Sequence, residues 1–308
     1  MSRKVAIVAD PGIDTAFAIA AALHDPSLDV VGLLPTAGNV TPEQATKNAH
    51  ILLNEIDPPK LPRVGSALPI NFEQHGEKLH GPGGLGGVDF PIVLPRQQTP
   101  SDELLLELIE ANPGELSLLI LGPATPVAAA FGRASEAADA CERIVFVGGT
   151  WHEPGNATAP AEFHFHCDPA AARKVVHCRA TVQVIPLDVT RRMLFSPKDL
   201  MDLPNPDSRA CRFLGKIIPF GIRASANVYG VEGFHLKDVV AVAALSRPGL
   251  IDEIEVWLDV EEAGELTRGM SVIDNRPGLS PPPNVFLATD VDVAGVRGYL
   301  NEIFGRAT

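Results

Sequence analysis

The fold is decided near the start of the chain, by the run Lys4-Val5-Ala6-Ile7-Val8-Ala9 and the turn Asp10-Pro11-Gly12-Ile13-Asp14 that follows it. An apolar run of this length closed by Pro-Gly predicts a buried parallel strand. Residues 15–24 lack Gly and Pro and are rich in Ala, which predicts a helix packed on the sheet. Asp10 and Asp14 therefore lie at the carboxyl end of a strand, where open α/β sheets bind ligands. The alternative is that Asp14 only caps the helix and Asp10 only serves the turn.

Strand-like and helix-like segments alternate along most of the chain. Apolar runs predict further strands at residues 29–34, 61–64, 116–121, 143–147, 182–187 and 284–289. Such βαβα alternation is typical of a mainly parallel sheet covered by helices. No linker or repeat interrupts it, so we expect residues 1–308 to form a single α/β domain with an open, mainly parallel, helix-covered sheet and a Rossmann-like core.

Several local patterns add detail to this scheme. Thr41 and Gln44 have capping-box spacing before a helix at residues 42–54. Residues 206–219 are helix-like, and residues 254–260 alternate as a half-exposed edge strand does. The Gly-rich residues 74–95 predict a long functional loop, because structureless loops of this length are otherwise uncommon.

The composition of the chain limits the kinds of molecule that it is expected to bind. The chain has 308 residues, of which 45% are hydrophobic and 20% charged, with 25 Lys and Arg against 38 Asp and Glu and a net charge of −13. This charge argues against nucleic acid or an anionic membrane as a partner. The four cysteines form no C-x-x-C pair, which argues against a zinc ribbon. Neither a signal peptide nor a membrane-spanning run is evident, so a cytoplasmic protein is expected.

Polar residues gather where the predicted strands end. Asp10, Asn39, Leu121, Gly148 and Asp188 all fall at such ends, and these converge on one crevice. Asp238 opens a late apolar helix, where the simpler interpretation is an N-cap. Strand-like alternation would place His164 and His166 on one face, and with His152 they form an alternative transition-metal site. Tyr229 and Phe234 are candidates for stacking on a base or for the core.

The chain resembles the inosine–uridine-type nucleoside hydrolases. The resemblance rests on motifs in the family's order over nearly the whole chain: Asp10-Pro11-Gly12-Ile13-Asp14, Ala37-Gly38-Asn39-Val40-Thr41, His80-Gly81 with Gly84-Leu85-Gly86-Gly87, Leu121-Gly122-Pro123-Ala124-Thr125, Gly155-Asn156-Ala157 with Ala161-Glu162-Phe163, Asp168-Pro169-Ala170-Ala171, Leu187-Asp188-Val189-Thr190, Asp238 with Ala241-Val242-Ala243, and Thr267-Arg268-Gly269-Met270.

The resemblance implies an N-ribosyl hydrolase that acts on a small-molecule nucleoside or riboside, uses Ca²⁺ and forms a homodimer or homotetramer. It implies that Asp10 binds the metal and takes a proton from the attacking water. The other metal ligands implied are the carbonyl of Leu121 and the carboxylate of Asp238. The implied substrate-binding positions are Asp14, Asn39, His80, Asn156, Glu162, Phe163, His164 and Asp238. This chemistry is coherent, since Ca²⁺ takes six to eight oxygen ligands and a ribose diol can supply two of them.

The chain departs from the family's pattern inside this site. Val8 and Thr15 each replace an Asp, and the position of Thr15 is a principal metal ligand in the family. His164 replaces a ribose-binding Asn, and Pro126 replaces an Asn after Thr125. Lys237 replaces a His linked in some members to protonation of the leaving base, a role that His235 can take only if the loop is rearranged.

Three interpretations stay open on the sequence. The first is an active nucleoside hydrolase with a weaker or different metal site. The second is a weak or inactive relative that binds a ribose-like ligand, with Lys237 in place of the cation's charge. The third is a retained scaffold whose pocket residues are caps and core hydrogen bonds.

Overall fold

The computed structural model of the protein describes residues 2–72 and 76–307. The strands are β1 (Arg3–Ala9), β2 (Leu28–Pro35), β3 (Arg63–Ser66), β4 (Thr99–Pro100), β5 (Leu116–Leu121), β6 (Cys141–Val147), β7 (Val182–Ile185), β8 (Leu194–Phe195), β9 (Phe234–His235), β10 (Ile251–Val260), β11 (Ser271–Asp274) and β12 (Val285–Val291). The helices are α1 (Ile13–His24), α2 (Pro42–Ile56), α3 (Glu77–His80), α4 (Ser101–Ala111), α5 (Thr125–Arg133), α6 (Phe163–Cys167), α7 (Pro169–Val176), α8 (Leu187–Thr190), α9 (Pro197–Met201), α10 (Arg209–Tyr229), α11 (Lys237–Ser246) and α12 (Val293–Arg306).

Within these residues one ten-stranded sheet has the order β11-β10-β12-β7-β6-β5-β1-β2-β3-β4. β10 runs antiparallel to β11 and β12, and the other neighbouring pairs are parallel. β8 and β9 form a separate antiparallel ribbon. The predicted α/β class, with a mainly parallel, helix-covered sheet, is confirmed.

Strand β1 lies in the middle of the sheet, between β2 and β5. Successive side chains of a strand point to opposite faces. Accordingly Val5 and Ile7 belong to an apolar core shared with α1, α10 and α11, whereas Ala6 and Val8 belong to a second core shared with α4, α5 and α7. Burial on both faces explains why β1 is a continuous apolar run, and it holds the Asp10 turn on a rigid strand.

Four local predictions need correction or qualification. The alternating strand β10 is an edge strand only in part, because β11 pairs with its residues 257–260 and not with residues 251–256. Helix α10 continues past Pro219 to Tyr229, since apolar side chains on one face stay buried. Thr41 caps α2 as expected, but the Gln44 side chain bonds Asn48 instead of completing a reciprocal box. Part of the 74–95 loop is helical, with α3 and a 3₁₀ turn at Pro82–Gly84, while Gln74 and His75 lie outside the described residues.

Candidate active site

A cavity of about 540 Å³ opens at the carboxyl ends of the central strands. Eight of the predicted site residues line it: Asp14, Thr15, Asn39, His80, Asn156, Phe163, His164 and Lys237. Asp10, Glu162 and Asp238 lie buried beneath this lining, at 0–2% exposure. The topology therefore brings residues from six separate segments into one place, as expected at this edge of a parallel sheet.

Asp10 follows the last residue of β1, and only one of its two carboxylate oxygens accepts a hydrogen bond from the described residues. Its Oδ2 accepts a hydrogen bond from the Asn39 backbone N–H at 3.0 Å, and the Asn39 side chain donates to the Asp10 carbonyl at 3.1 Å. Its Oδ1 is buried without a hydrogen-bond partner in the described structure. Burial raises the pKa of Asp10 well above its usual range, and the nearby charges of Asp238 and Asp14 raise it further. Asp10 is therefore a carboxylate poised to accept a proton or to meet a cation.

Two glycines make room for this carboxylate. A Cβ on Gly38 would lie 2.3 Å from Asp10 Oδ2, and one on Gly122 would lie 2.7 Å from the Asp10 nitrogen. Neither glycine is there for its backbone angles; both are there because the Asp10 turn packs directly on their Cα atoms. This close approach explains the glycines in the motifs around Asn39 and Leu121.

We expect Gly38→Ala to lower kcat by about 10²-fold, because an added methyl must displace the Asp10 carboxylate by a large fraction of an ångström. The same overpacking should cost about 1–3 kcal/mol of unfolding free energy. Gly215→Ala is the control, since a Cβ at this position of α10 meets nothing within 4 Å. Steady-state kinetics and urea unfolding of both variants test the prediction, and full activity in Gly38→Ala would contradict it.

Asp14 and Asp238 do not act as helix caps. The N-cap positions of α1 and α11 are Gly12 and Leu236, so both carboxylates lie within the first helical turn. Each has a buried Oδ1 without a hydrogen-bond partner among the described residues. The Thr15 hydroxyl donates to Asp238 Oδ2 at 2.7 Å. Burial raises the pKa of Asp238 well above its usual range, and Asp14 adds to the effect. The alternative that these two carboxylates only cap helices is therefore wrong. Each contributes a buried acceptor oxygen that has no partner among the described residues.

Lys237 places a positively charged side chain in the lining of the cavity. Burial alone would lower the pKa of its ammonium group, but the neighbouring Asp14, Glu162 and Asp238 charges more than offset that effect, and the pKa lies above its ordinary value. Lys237 therefore stays charged at neutral pH. His235 lies on β9 two residues earlier and does not line the cavity; burial and the charge of nearby Lys237 lower its pKa.

His80 holds the start of α1. Its Nδ1 accepts a hydrogen bond from the Ile13 backbone N–H at 3.1 Å and lies 3.8 Å from Asp14 Oδ1. Burial lowers its pKa to about 4, against a smaller opposing effect of Asp14. The ring is therefore neutral near pH 7, as an acceptor from an N–H must be.

The depressed pKa of His80 predicts a pH-dependent stability. Between the unfolded pKa of 6.5 and about 4, the unfolded chain binds a proton on His80 that the folded chain does not, so stability falls as the pH falls through this window. We expect His80→Asn to reduce the loss of unfolding free energy between pH 7 and pH 5 by about 2 kcal/mol. Urea unfolding at both pH values measures this. Equal pH dependence in variant and parent would refute it.

The segment after β6 forms another wall of the cavity. Glu162 Oε2 accepts from the backbone N–H groups of Gly149 and Phe165 and so caps α6, while Asn156 Oδ1 accepts from the Phe163 N–H at 2.8 Å. Residues 163–167 are helical and not a strand; His164 and His166 both line the cavity, and His166 Nδ1 lies 2.9 Å from the Arg268 carbonyl oxygen. In residues 2–72 and 76–307 no group of three His, Cys, Asp or Glu side chains is arranged to hold a metal ion. The three-histidine alternative is therefore wrong.

Other predicted residues have structural roles. Leu121 ends β5 in register with Ala9, which places its carbonyl beside the Asp10 turn. Asp188 accepts from the N–H groups of residues 151–153 and fixes that loop. Tyr229 lines the cavity, whereas Phe234 packs edge-on against His80. Sequence reasoning missed Lys78, Leu79 and Val228, which line the cavity only because α3 and the end of α10 fold over it.

A second depression, of about 760 Å³, lies at the opposite, amino ends of the strands. Its charged groups are paired with one another, since Lys4 bonds Glu115 and Arg3 pairs with Glu142. Among the described residues, Asp29 of this depression also has a partner, Lys60, so the buried carboxylate oxygens without partners near Asp10 distinguish the cavity at the carboxyl ends.

Comparison with known proteins identifies the family of the chain. Residues 5–298 match the family described as inosine-uridine preferring nucleoside hydrolase. The chain is 34% identical to the probable uridine nucleosidase 2 of Oryza sativa subsp. japonica, over 99% of this chain and 94% of the relative. It is 31% identical to the non-specific ribonucleoside hydrolase RihC of Escherichia coli, over the full length of both. Among solved structures, the plant nucleoside hydrolase PpNRh1 has a TM-score of 0.91 at 29% identity, and the purine-preferring ribonucleoside hydrolase of Gardnerella vaginalis has 0.90 at 28%; each comparison covers 99% of both chains.

Fold and cavity together define an α/β protein of the nucleoside hydrolase type, with a carboxylate-rich site at the carboxyl ends of the central strands. The chain belongs to the inosine–uridine preferring nucleoside hydrolase family. The hydrolase class expected from its motifs is confirmed, and the family is metal-dependent. No helix in the described part of the chain has the length and apolarity needed to cross a membrane.

Proposed function

We propose that this protein hydrolyses the N-glycosidic bond of ribonucleosides to free base and ribose, with Asp10 as the base that activates water. The observation that carries the proposal is the buried Asp10 Oδ1, which has no hydrogen-bond partner at the floor of a nucleoside-sized cavity. A buried carboxylate with a raised pKa is suited to take a proton from water at neutral pH. Cleavage through an oxocarbenium-like state also benefits from negative charge close to the sugar.

We further propose that the ribose lies between Asp14, Asn39, Asn156, Glu162 and Asp238. The free Oδ1 atoms of Asp14 and Asp238 are acceptors available to ribose hydroxyls. His80, Phe163 and His164 complete the wall of the cavity. Lys237 places a permanent positive charge near these carboxylates, and with His235 it stays a candidate for assisting departure of the base.

The side-chain chemistry fits an oxygen-preferring cation such as Ca²⁺. Three carboxylates of the cavity, those of Asp10, Asp14 and Asp238, each have a buried oxygen without a partner among the described residues. The groups that we propose to hold the ion are the side chains of Asp10, Thr15 and Asp238 and the carbonyl of Leu121. When bound, the ion would lower the pKa of a water molecule and neutralise part of the carboxylate charge. Thr15 contributes only a neutral hydroxyl whose proton is donated to Asp238, so we expect weak binding.

We also propose that residues 1–308 act as one domain, and that the enzyme works in the cytoplasm as a homodimer or homotetramer. The continuous sheet with a core on each face supports the first point. The net charge of −13 supports a small-molecule substrate and argues against nucleic acid and anionic membranes as partners.

The test is base release from inosine, uridine and a nitrophenyl riboside by chelator-stripped protein, with and without Ca²⁺, together with calorimetric Ca²⁺ titration. Calcium-dependent release supports the proposal in full. The commitment of the Thr15 hydroxyl to Asp238 favours a second candidate, a relative that binds ribosides without turnover. Riboside binding without release from any substrate would establish that candidate instead.

A further inference from the structure

His164 presents a second acceptor to the space beside Asp10. Its ring lies in α6 and is nearly buried, at 7% exposure. Its Nδ1 lies 2.9 Å from the Val147 carbonyl oxygen. A carbonyl can only accept, so Nδ1 must carry the hydrogen of this bond. In the neutral ring, Nε2 is then left with a lone pair and no proton.

That lone pair faces the carboxylate with the unsatisfied oxygen. Nε2 lies 3.8 Å from Asp10 Oδ1, the atom that is buried without a hydrogen-bond partner. Two acceptors at this distance repel each other unless a donor lies between them. A water molecule that donates one hydrogen to each of two acceptors holds them roughly 4 Å apart, close to the observed spacing.

We propose that His164 Nε2 and Asp10 Oδ1 together accept the two hydrogens of the attacking water. This inference rests on the proposed hydrolase function. With both hydrogens engaged, the water can only turn a lone pair towards the anomeric carbon of the ribose. His164 is then a catalytic residue that contacts the nucleophile and orients it.

The water oxygen forms the bond to C1′ as the C1′–N bond breaks, and the electron pair of that bond leaves on the base nitrogen. One water proton passes to Asp10 Oδ1. The other stays on the new hydroxyl group and is still donated to His164 Nε2. The base takes up one proton from solvent, and Asp10 returns the proton that it accepted to solvent, so the net reaction consumes one water and leaves the enzyme unchanged.

Two variants separate the two ends of the ring. An asparagine amide reaches only the position of Nδ1, so His164→Asn keeps the bond to Val147 and removes the acceptor that faces Asp10. A glutamine amide reaches the position of Nε2, so His164→Gln restores an acceptor there. His24→Asn is the control, because His24 Nδ1 makes the same type of bond, at 2.9 Å to the Ala20 carbonyl, at the far end of α1.

We expect His164→Asn to lower kcat by about 10²-fold with KM changed less than about threefold, since orientation of the nucleophile is lost and substrate binding is not. His164→Gln should recover at least tenfold of that loss, and His24→Asn should match the parent. A His164→Asn variant with parental kcat overturns the inference. So does a change confined to KM, which would make the ring a ribose ligand. A parent without base release would instead refute the proposed function.

A second measurement does not depend on turnover. Imidazole ¹⁵N NMR of the parent at pH 7 should show His164 with a protonated Nδ1 and an unprotonated Nε2, and His164→Asn identifies the signal by its loss. An imidazolium, or a ring protonated only on Nε2, would overturn the inference, because the ring would then donate to Asp10 directly.

Discussion

Asp10→Asn is expected to lower kcat for base release by about 10²–10⁴-fold while leaving the fold intact. The amide keeps the size of the side chain. Its oxygen can take the place of Asp10 Oδ2 and accept the hydrogen bond of the Asn39 N–H, but the amide cannot take a proton from water. The buried oxygen that faces the cavity would become a weak acceptor or a donor. Loss of proton abstraction, and not loss of the site, is therefore the expected cause.

Stability separates these two causes. Burial and two neighbouring carboxylates disfavour the charged form of Asp10, so removing its charge relieves repulsion at the floor of the cavity. We expect thermal unfolding of Asp10→Asn, in the absence of metal, at or above the parental temperature. Turnover within tenfold of the parent would eliminate Asp10 as the base. A large fall in unfolding temperature would assign the loss to misfolding.

Thr15→Asp is expected to raise Ca²⁺ affinity by about tenfold or more, because affinity follows the number of charged ligands. The present hydroxyl is neutral and donates its proton to Asp238 Oδ2. A carboxylate at this position would face Asp238 as a like charge, and an added cation would relieve the repulsion. The variant should therefore be less stable than the parent without metal and should gain more stability from Ca²⁺.

Calorimetric titration of chelator-stripped protein and the shift in unfolding temperature on adding Ca²⁺ measure this effect. Thr15→Ser is the control, since it keeps a hydroxyl that can donate to Asp238 and adds no charge. Equal Ca²⁺ affinity in Thr15→Asp and Thr15→Ser would show that position 15 is not a ligand and that the site holds any cation through other residues.

Much of the local structure follows from short stretches of sequence. The run before Asp10 is apolar at every position from Val5 to Ala9, and such a run is stable only when buried on both faces. The helix at residues 42–56 begins where Thr41 caps it. These features depend on neighbours a few residues apart, so the strand–turn–helix order and the position of Asp10 at a strand end are predictable from the sequence.

Tertiary contacts decided the features that local pattern misjudged. The alternation of β10 is typical of an edge strand, but β11 comes from residues further along the chain and pairs with residues 257–260 of that edge. Residues 163–167 form a helix because Glu162, held against Gly149, caps it, so His164 Nε2 lies 3.8 Å from Asp10 Oδ1 while His166 Nδ1 bonds the Arg268 carbonyl. Lys237 enters the cavity and His235 does not, because β9 pairs with β8 before α11 begins.

The class of fold, and the expectation of a carboxylate site at the carboxyl edge of the sheet, follow from periodicity and from motifs within a few residues. Which carboxylate oxygens lack partners among the described residues, and which ring nitrogen lies nearest Asp10, depend instead on the tertiary fold. Those properties depend on atoms more than a hundred residues apart, as with Asp10 and His164 or Thr15 and Asp238. Their distances are set by how the helices pack over the sheet, and no local pattern records that packing.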